Sequence, residues 1–397
     1  MKINRYNIIF IGLILFHLSV LLLLISSFSI SYKEALVYFE DTGSILHIIT
    51  NISTYIFGQN DFALRIPFIL FYIGSAVLMY FITKGYFKSE RDRLINLSIF
   101  MILPGVNSAA LLVHESIIVI FFTLLYIYLY RIKNTVCYTL LVLLLFIDNS
   151  FAILFLGLLF YSLKIKDNIL LALSLLLFGV SMTMYGFNVG GVPQGYFLDT
   201  FGKYATIFSP VLFVYFFYAI YRIGLKMEKD IFWYISATAL FFSLILSLRQ
   251  HIRIEDFAPF VVISMPIMVK LFIHSLRVRL KEFRTIHYLI ARVTIFVLVA
   301  NFAIFVFNQY LYVFMKNPEN HFAYKYHVAK DLAYELKRIN ITEVLIDDKE
   351  LSKRLEFYNI TSGDKYFLNR KKQTNHFKTI EVKYYNKVIT TFYIEKI

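Results

Sequence analysis

Apolar runs of roughly twenty residues recur between Asn7 and Phe314, each closed by a short polar break. A helix needs about 20 apolar residues to cross a bilayer, fewer where flanking side chains snorkel, so a chain written this way is read as a bundle of spans. The pattern predicts about eleven of them, near 7–30, 66–83, 94–113, 116–131, 135–147, 149–163, 168–186, 206–224, 231–248, 258–276 and 287–314. The runs at 135–147 and 149–163 are short, with Asp148-Asn149 marking a tight turn between them. The first run follows Lys2 and Arg5 as a secretory leader would. It is longer than a leader's apolar segment and no small-residue cleavage site follows, so it is expected to stay as an anchor.

The net charge of +14 raises the question of nucleic acid, and the placement of the cations answers it. With a cytoplasmic amino terminus, the inner loops hold Lys2, Arg5, Lys84, Lys88, Arg91, Arg93, Arg131, Lys133, Lys164, Lys166, Arg222, Lys226, Lys229, Arg277, Arg279, Lys281 and Arg284. The short outer loops hold Lys33, Arg65, Lys203, Arg249 and Arg253. That is roughly seventeen against five, the asymmetry that orients membrane helices, and no nucleic-acid partner is needed to explain it. The 59% hydrophobic composition exceeds that of a soluble domain. Cys137 is the only cysteine, which excludes an intrachain disulfide.

The expected fold is therefore an all-α polytopic membrane domain over 1–315 and a small external α/β domain over 316–397. In the tail, "HFAYKYHVAKDLAYELKRIN" and "KELSKRLEFY" have helical spacing, "TEVLID" reads as a strand, and "FKTIEVKYYN" with "VITTFYIEKI" alternates like a hairpin. An odd number of spans puts this tail outside a plasma or inner membrane. The outer loop over 31–65 is expected to carry juxtamembrane helices. Ile45, Ile48, Ile49, Ile52 and Ile56 recur at helical spacing against His47, Thr50, Asn51 and Thr54, the pattern of a helix lying in the interface. Glu34, Tyr38 and Asp41 share another face, either as carboxylates aimed at a lipid headgroup or as an ordinary solvated surface.

"SYKEALVYFED", "ISTYIFGQNDFALRIPFIL" and "ILPGVNSAALLVHESIIVIFFTLLYIYLYR" together resemble the amino-terminal half of GT-C integral-membrane glycosyltransferases, in the protein O-mannosyltransferase and aminoarabinose-transferase branch. "RQHIRIEDFAPFVVISMPIMV" is similar to a later segment of that family, and "DLAYELKRINITEVLIDDKELSKRLEFY" to its external tail. Four positions depart from the family pattern. Lys33-Glu34 stands where it has Asp-Glu, "GSIL" where it has a "PPL" run, Glu115 where it has Asp, and "HIRIEDF" lacks its Tyr.

The resemblance implies transfer of a sugar, with inversion, from a polyprenyl-phosphate donor to an acceptor glycolipid, glycan or protein at the membrane's outer face. A carboxylate takes the acceptor's proton while cations offset charge on the departing phosphate. By that resemblance Glu34 is the expected base, with Glu115 orienting the acceptor. Arg65, His251, Arg253 and Lys203 are expected at the donor phosphate, and Lys33, Tyr38, Asp41 and His47 as further contacts. Some relatives use a divalent metal and others do not, so no cofactor is required. Simpler roles stand beside these: Arg65 as a snorkelling anchor, and His251 and Arg253 as partners of Glu255 and Asp256. "HES" at His114–Ser116 is not a triad, because consecutive residues do not converge on one proton path. "GFNVGGVPQG" lacks the strand-to-helix setting of a phosphate loop. Two other classes remain open, an inactive relative that keeps the fold as a scaffold and a transporter or flippase of lipid-linked sugar.

Overall fold

The computed structural model describes residues 5–133, 137–186, 195–371 and 377–396. Its helices run in the order α1 Arg5–Ser27, α2 Tyr32–Phe39, α3 Ile45–Phe57, α4 Asp61–Ile82, α5 Glu90–Ile102, α6 Pro104–Leu111 and α7 Glu115–Lys133. Then come α8 Tyr138–Leu144, α9 Phe151–Ile165, α10 Asn168–Met184, α11 Phe197–Phe208, α12 Pro210–Lys226, α13 Ile231–Ser247, α14 Ala258–Val262, α15 Met265–Val278 and α16 Lys281–Val306. The tail holds α17 Leu311–Phe314, α18 Ala329–Arg338, α19 Lys349–Phe357 and strands β1 Tyr366–Asn369, β2 Lys378–Tyr384 and β3 Lys387–Lys396.

Among the described residues four helices are long and apolar enough to cross a membrane: α1, α4, Ala258–Val278 and α16. Two bent pairs raise the number to six if each is one span, α5 with α6 at 58° and α11 with α12 at 107°. This architecture is that of a membrane protein, but it does not reach the expected eleven spans. The helices α10 and α13 begin where expected, at Asn168 and Ile231, but each is short. The Asp167 and Asp230 side chains accept the first N–H groups of α10 and α13, and those helices stop after 17 residues each. At 1.5 Å per residue that is about 26 Å, short of a hydrocarbon core of about 30 Å. The run expected at 135–147 becomes a helix of 7 residues, and its residues 135 and 136 lie outside those described.

The chain folds as two compact units. The first comprises Met1–Leu18, Leu70–Ala110 and His114–Phe302. Its helices approach closely where small residues allow. A Cβ on Gly157 of α9 would stand 3.0 Å from the Ile235 Cα of α13. The bend between α5 and α6 frees carbonyls ahead of Pro104, and Asn107 Nδ2 donates to those of Met101 and Leu103 at 2.7 and 2.8 Å. His17 Nε2 meets the same amide's Oδ1 at 3.1 Å, so the broken backbone is satisfied inside protein, as an apolar surround demands. The sharper bend follows Ser209, at φ 83°, and Pro210 opens the next helix without needing an N–H acceptor. On α16 only Leu298 is buried, although the stretch from Val293 to Val306 is almost wholly apolar, which is how a lipid-facing segment reads.

The second unit comprises Ser19–Ile69, Leu111–Val113 and Ala303–Ile397. Its sheet has the order β1-β3-β2 with both pairings antiparallel. The hairpin between β2 and β3 turns through Tyr385 and Asn386, both at positive φ, as a two-residue hairpin loop requires. Leu332, Leu336, Leu351, Leu355, Ile380, Phe392 and Ile394 form its core. The strand expected at "TEVLID" is reduced to single bridges from Glu343 to Thr361 and Leu345 to Phe367, while β1 has no counterpart among the expected strands.

In this unit α3 turns its polar side inward. Thr50, Ser53 and Thr54 are buried, while Ile48, Ile52, Tyr55, Ile56 and Phe57 are exposed. The Thr50 hydroxyl donates to the Leu46 carbonyl, that of Thr54 to Thr50, and that of Ser53 to Ala63. Buried hydroxyls so satisfied carry little penalty, and an outward apolar face is stable only against lipid or another apolar surface.

Candidate functional site

The expected site residues fall into two groups, one in each unit. In the second unit Ser31 and Glu34 form a capping box at the start of α2. The Glu34 N–H donates to Ser31 Oγ at 3.3 Å and the Ser31 N–H to Glu34 Oε2 at 2.8 Å. Arg65 Nη2 donates to the same Oε2 at 3.1 Å, and the Val113 N–H to Oε1 at 3.1 Å. Arg65 also donates to the carbonyls of Phe28 and Ser29 and lies 3.7 Å from Asp61 Oδ1. Asp61 in turn accepts from the Tyr358 hydroxyl at 2.7 Å and pairs with Lys330 at 2.9 Å. Arg354 completes the network, donating to the carbonyls of Ile30 and His327 and to Ser29 Oγ.

Glu34, Asp61 and Arg65 are 3%, 4% and 0% exposed. Buried charges of this kind persist when they are paired and hydrogen-bonded, although the Arg65 Nε has no acceptor among the described residues. Both oxygens of Glu34 are engaged, by two backbone N–H groups and the Arg65 guanidinium. The group acts as a knot that fixes the loop after α1 onto α4 and the tail. Arg65 is buried in that knot rather than snorkelling. Of the remaining candidates here, Lys33 and Asp41 are exposed. His47 Nδ1 lies 2.9 Å from the Val37 carbonyl, and Tyr38 packs its ring edge-on against Phe39 and Phe357. His47 is held by local structure and Tyr38 by the tail as well.

The first unit gathers the others at one end. Glu115 opens α7 and is about one-third exposed, its Oε2 3.6 Å from His114 Nδ1. That nitrogen accepts the Ser116 N–H at 3.1 Å, so His114 serves as a cap. The Ser116 hydroxyl donates to the Glu255 carbonyl at 3.2 Å, which brings the start of α7 against the turn Arg253–Asp256. Lys203 pairs with Asp199 at 2.7 Å and lies 3.1 Å from His251 Nε2, joining α11 to the segment after α13. Arg253 pairs with Asp256 at 3.2 Å. Burial pushes the Asp256 carboxyl up to about 6, with Asp148 and Glu255 adding to the rise and Arg253 opposing it. A carboxyl near 6 exchanges a proton at neutral pH, the property sought in a general base.

The sequence marks Asp256 only as a partner for a neighbouring cation, and its burial has no sequence signature. Asp61, Lys330, Arg354 and Tyr358 do not stand out in the sequence as network members. Asp61 does sit four residues before Arg65, a spacing that pairs charges on one helix. Among the described residues no group of three His, Cys, Asp or Glu side chains is placed to hold a metal ion. Residues 187–194 of "GFNVGGVPQG" lie outside the described residues. No protein-family model matches the chain, and no curated protein matches it.

Proposed function

We propose that the protein is a membrane glycosyltransferase that moves a sugar from a polyprenyl-phosphate donor to an acceptor hydroxyl or amine. The observation that carries this reading is the cluster at the Glu115 end of the first unit. There a half-buried acid tuned near neutrality lies among cations placed outside the apolar runs. In the proposed step the acceptor oxygen or nitrogen attacks the anomeric carbon and its proton passes to Asp256. The bond between that carbon and the phosphate oxygen breaks, and the electron pair leaves with the phosphate. Lys203, His251 and Arg253 offset the charge on the leaving group, and Glu115 orients the acceptor. Glu34 is not given the proton, because its oxygens are already engaged.

The same burial of Glu34 favours a second reading, a scaffold that keeps the architecture without transfer. Intact glycolipids and envelope glycans from cells lacking the protein, compared by mass spectrometry with cells complemented by wild type, Glu115→Gln or Asp256→Asn, separate the two. Loss of one glycan in the deletion, not restored by either variant at wild-type abundance, supports transfer. Full restoration by both variants supports the scaffold, and an unchanged profile in the deletion overturns transfer.

A further inference from the structure

At the other end of α7 the first unit has a half-open cavity of about 370 Å³, lined in part by Tyr86, Arg131, Tyr161, Lys229, Asp230 and Lys270. Glu115 and Arg131 are separated by about 24 Å at 1.5 Å per helical residue, so this cavity and the carboxylate cluster are distinct places. We propose that the cavity binds the phosphate group of an anionic ester, either the head of an acidic lipid entering from the bilayer or a soluble phosphate ester entering from water.

Three cations meet there, on separate elements. Arg131 ends α7 and is fixed by its Nη1 donating to the Ile82 carbonyl at 2.8 Å, with its guanidinium 5.4 Å from the centre of the Tyr86 ring. Lys270, on α15, stands 4.2 Å from the same ring, and Lys229 stands 5.0 Å from that of Trp233. Among the described residues none of the three forms an ion pair with a carboxylate. Two acids line the cavity: Glu228 pairs with none of the three, and Asp230 is already engaged, its Oδ1 accepting the Trp233 N–H at 3.0 Å as the cap of α13 and its Oδ2 the Tyr86 hydroxyl at 2.9 Å. The aromatic faces hold the cations in place without neutralising them, leaving their charge for a ligand. Basic pockets between membrane helices take phosphate head groups on these terms, and the volume lies at the small end of ligand cavities, matching a head group rather than a large cofactor. The site is independent of the transfer reaction, because none of its residues belongs to the Glu115 cluster.

The test uses the full-length protein in detergent micelles, with binding of short-chain phosphatidic acid and phosphatidylcholine measured by native mass spectrometry and calorimetry. Wild type is expected to bind phosphatidic acid and not phosphatidylcholine. Lys270→Gln and Arg131→Gln, both at exposed positions, should each weaken that binding at least tenfold with melting temperature unchanged. Asp230→Asn keeps a capping oxygen but removes a negative charge, and should tighten binding several-fold. Displacement by millimolar inorganic phosphate assigns the site to a soluble ester, and retention against it assigns the site to the lipid; either supports the proposal. Equal binding of both lipids, unchanged binding in both cation variants, or weaker binding in Asp230→Asn overturns it.

Discussion

The buried knot around Glu34 makes a quantitative prediction. Arg65→Met removes a guanidinium that donates to two carbonyls and one carboxylate, and it leaves Glu34 and Asp61 as neighbouring buried acids. Breaking a buried pair from one side costs about 3–5 kcal/mol, because the remaining charge is left without its partner. Glu34→Gln keeps one oxygen for either the Ser31 or the Val113 N–H, which now reach different carboxylate oxygens, and sets its NH2 against the other, so a loss of about 1–3 kcal/mol is expected for the buried donor left unpaired. In the double variant the stranded charge on Glu34 is gone, so the combined loss should fall short of the sum by about 1–2 kcal/mol. The assay is a double-mutant cycle on the detergent-solubilised protein, with unfolding followed by circular dichroism. Losses that add to within about 0.5 kcal/mol would show that the two side chains are not coupled and refute the knot. A Glu34→Gln protein of wild-type stability that has lost all transfer would restore Glu34 as the base.

Three further outcomes follow from the geometry. Burial, helped by His321 and Arg354, pushes the His327 imidazole down to about 3, below its ordinary 6.5. The folded state then holds this side chain neutral while the unfolded chain takes up a proton. The stabilisation is complete above pH 6.5 and is lost as pH falls towards 3, about 2 kcal/mol of it by pH 5. Melting curves at pH 8 and 5 should show that loss in wild type and less of it in His327→Gln, and equal slopes would contradict it. If Asp256 takes the proton, transfer by wild type should rise through pH 6 and level off, with that limb missing from the residual activity of Asp256→Asn. On α3, in a Cys137→Ser background, Ile52→Cys and Ile56→Cys should react with a membrane-impermeant maleimide at least tenfold more slowly than Asp41→Cys. Equal rates would place the apolar face in water.

How much of this is legible in the sequence depends on the range over which each feature is written. The two-residue turn at Tyr385-Asn386 and the helices α18 and α19 are local, and alternation and periodicity report them directly. The division of α3 into two faces is legible too. Which face the protein takes is not, because burying Thr50, Ser53 and Thr54 depends on carbonyls within hydrogen-bond reach and on the apolar medium outside. Span number is harder to read: hydropathy adds up residues, while helix length depends on where the backbone breaks, as at Ser209-Pro210, where α11 and α12 meet at 107°. Glu34 is the most instructive residue. Ser31-x-x-Glu34 is a capping box in plain sight, which already assigns the carboxylate a structural partner, and Asp61 with Arg65 has the spacing of a helical pair. Neither pattern brings Arg65 to Glu34 across 31 positions, or the Val113 N–H across 79. Those contacts exist because a charge in a low-dielectric interior must find its counterpart wherever the fold supplies one, a requirement visible only once the chain is folded. Asp256 follows the same logic in reverse. Its sequence neighbour Arg253 argues for an ordinary ionised pair, and only its burial beside Asp148 and Glu255 raises its proton affinity to where chemistry at neutral pH becomes available.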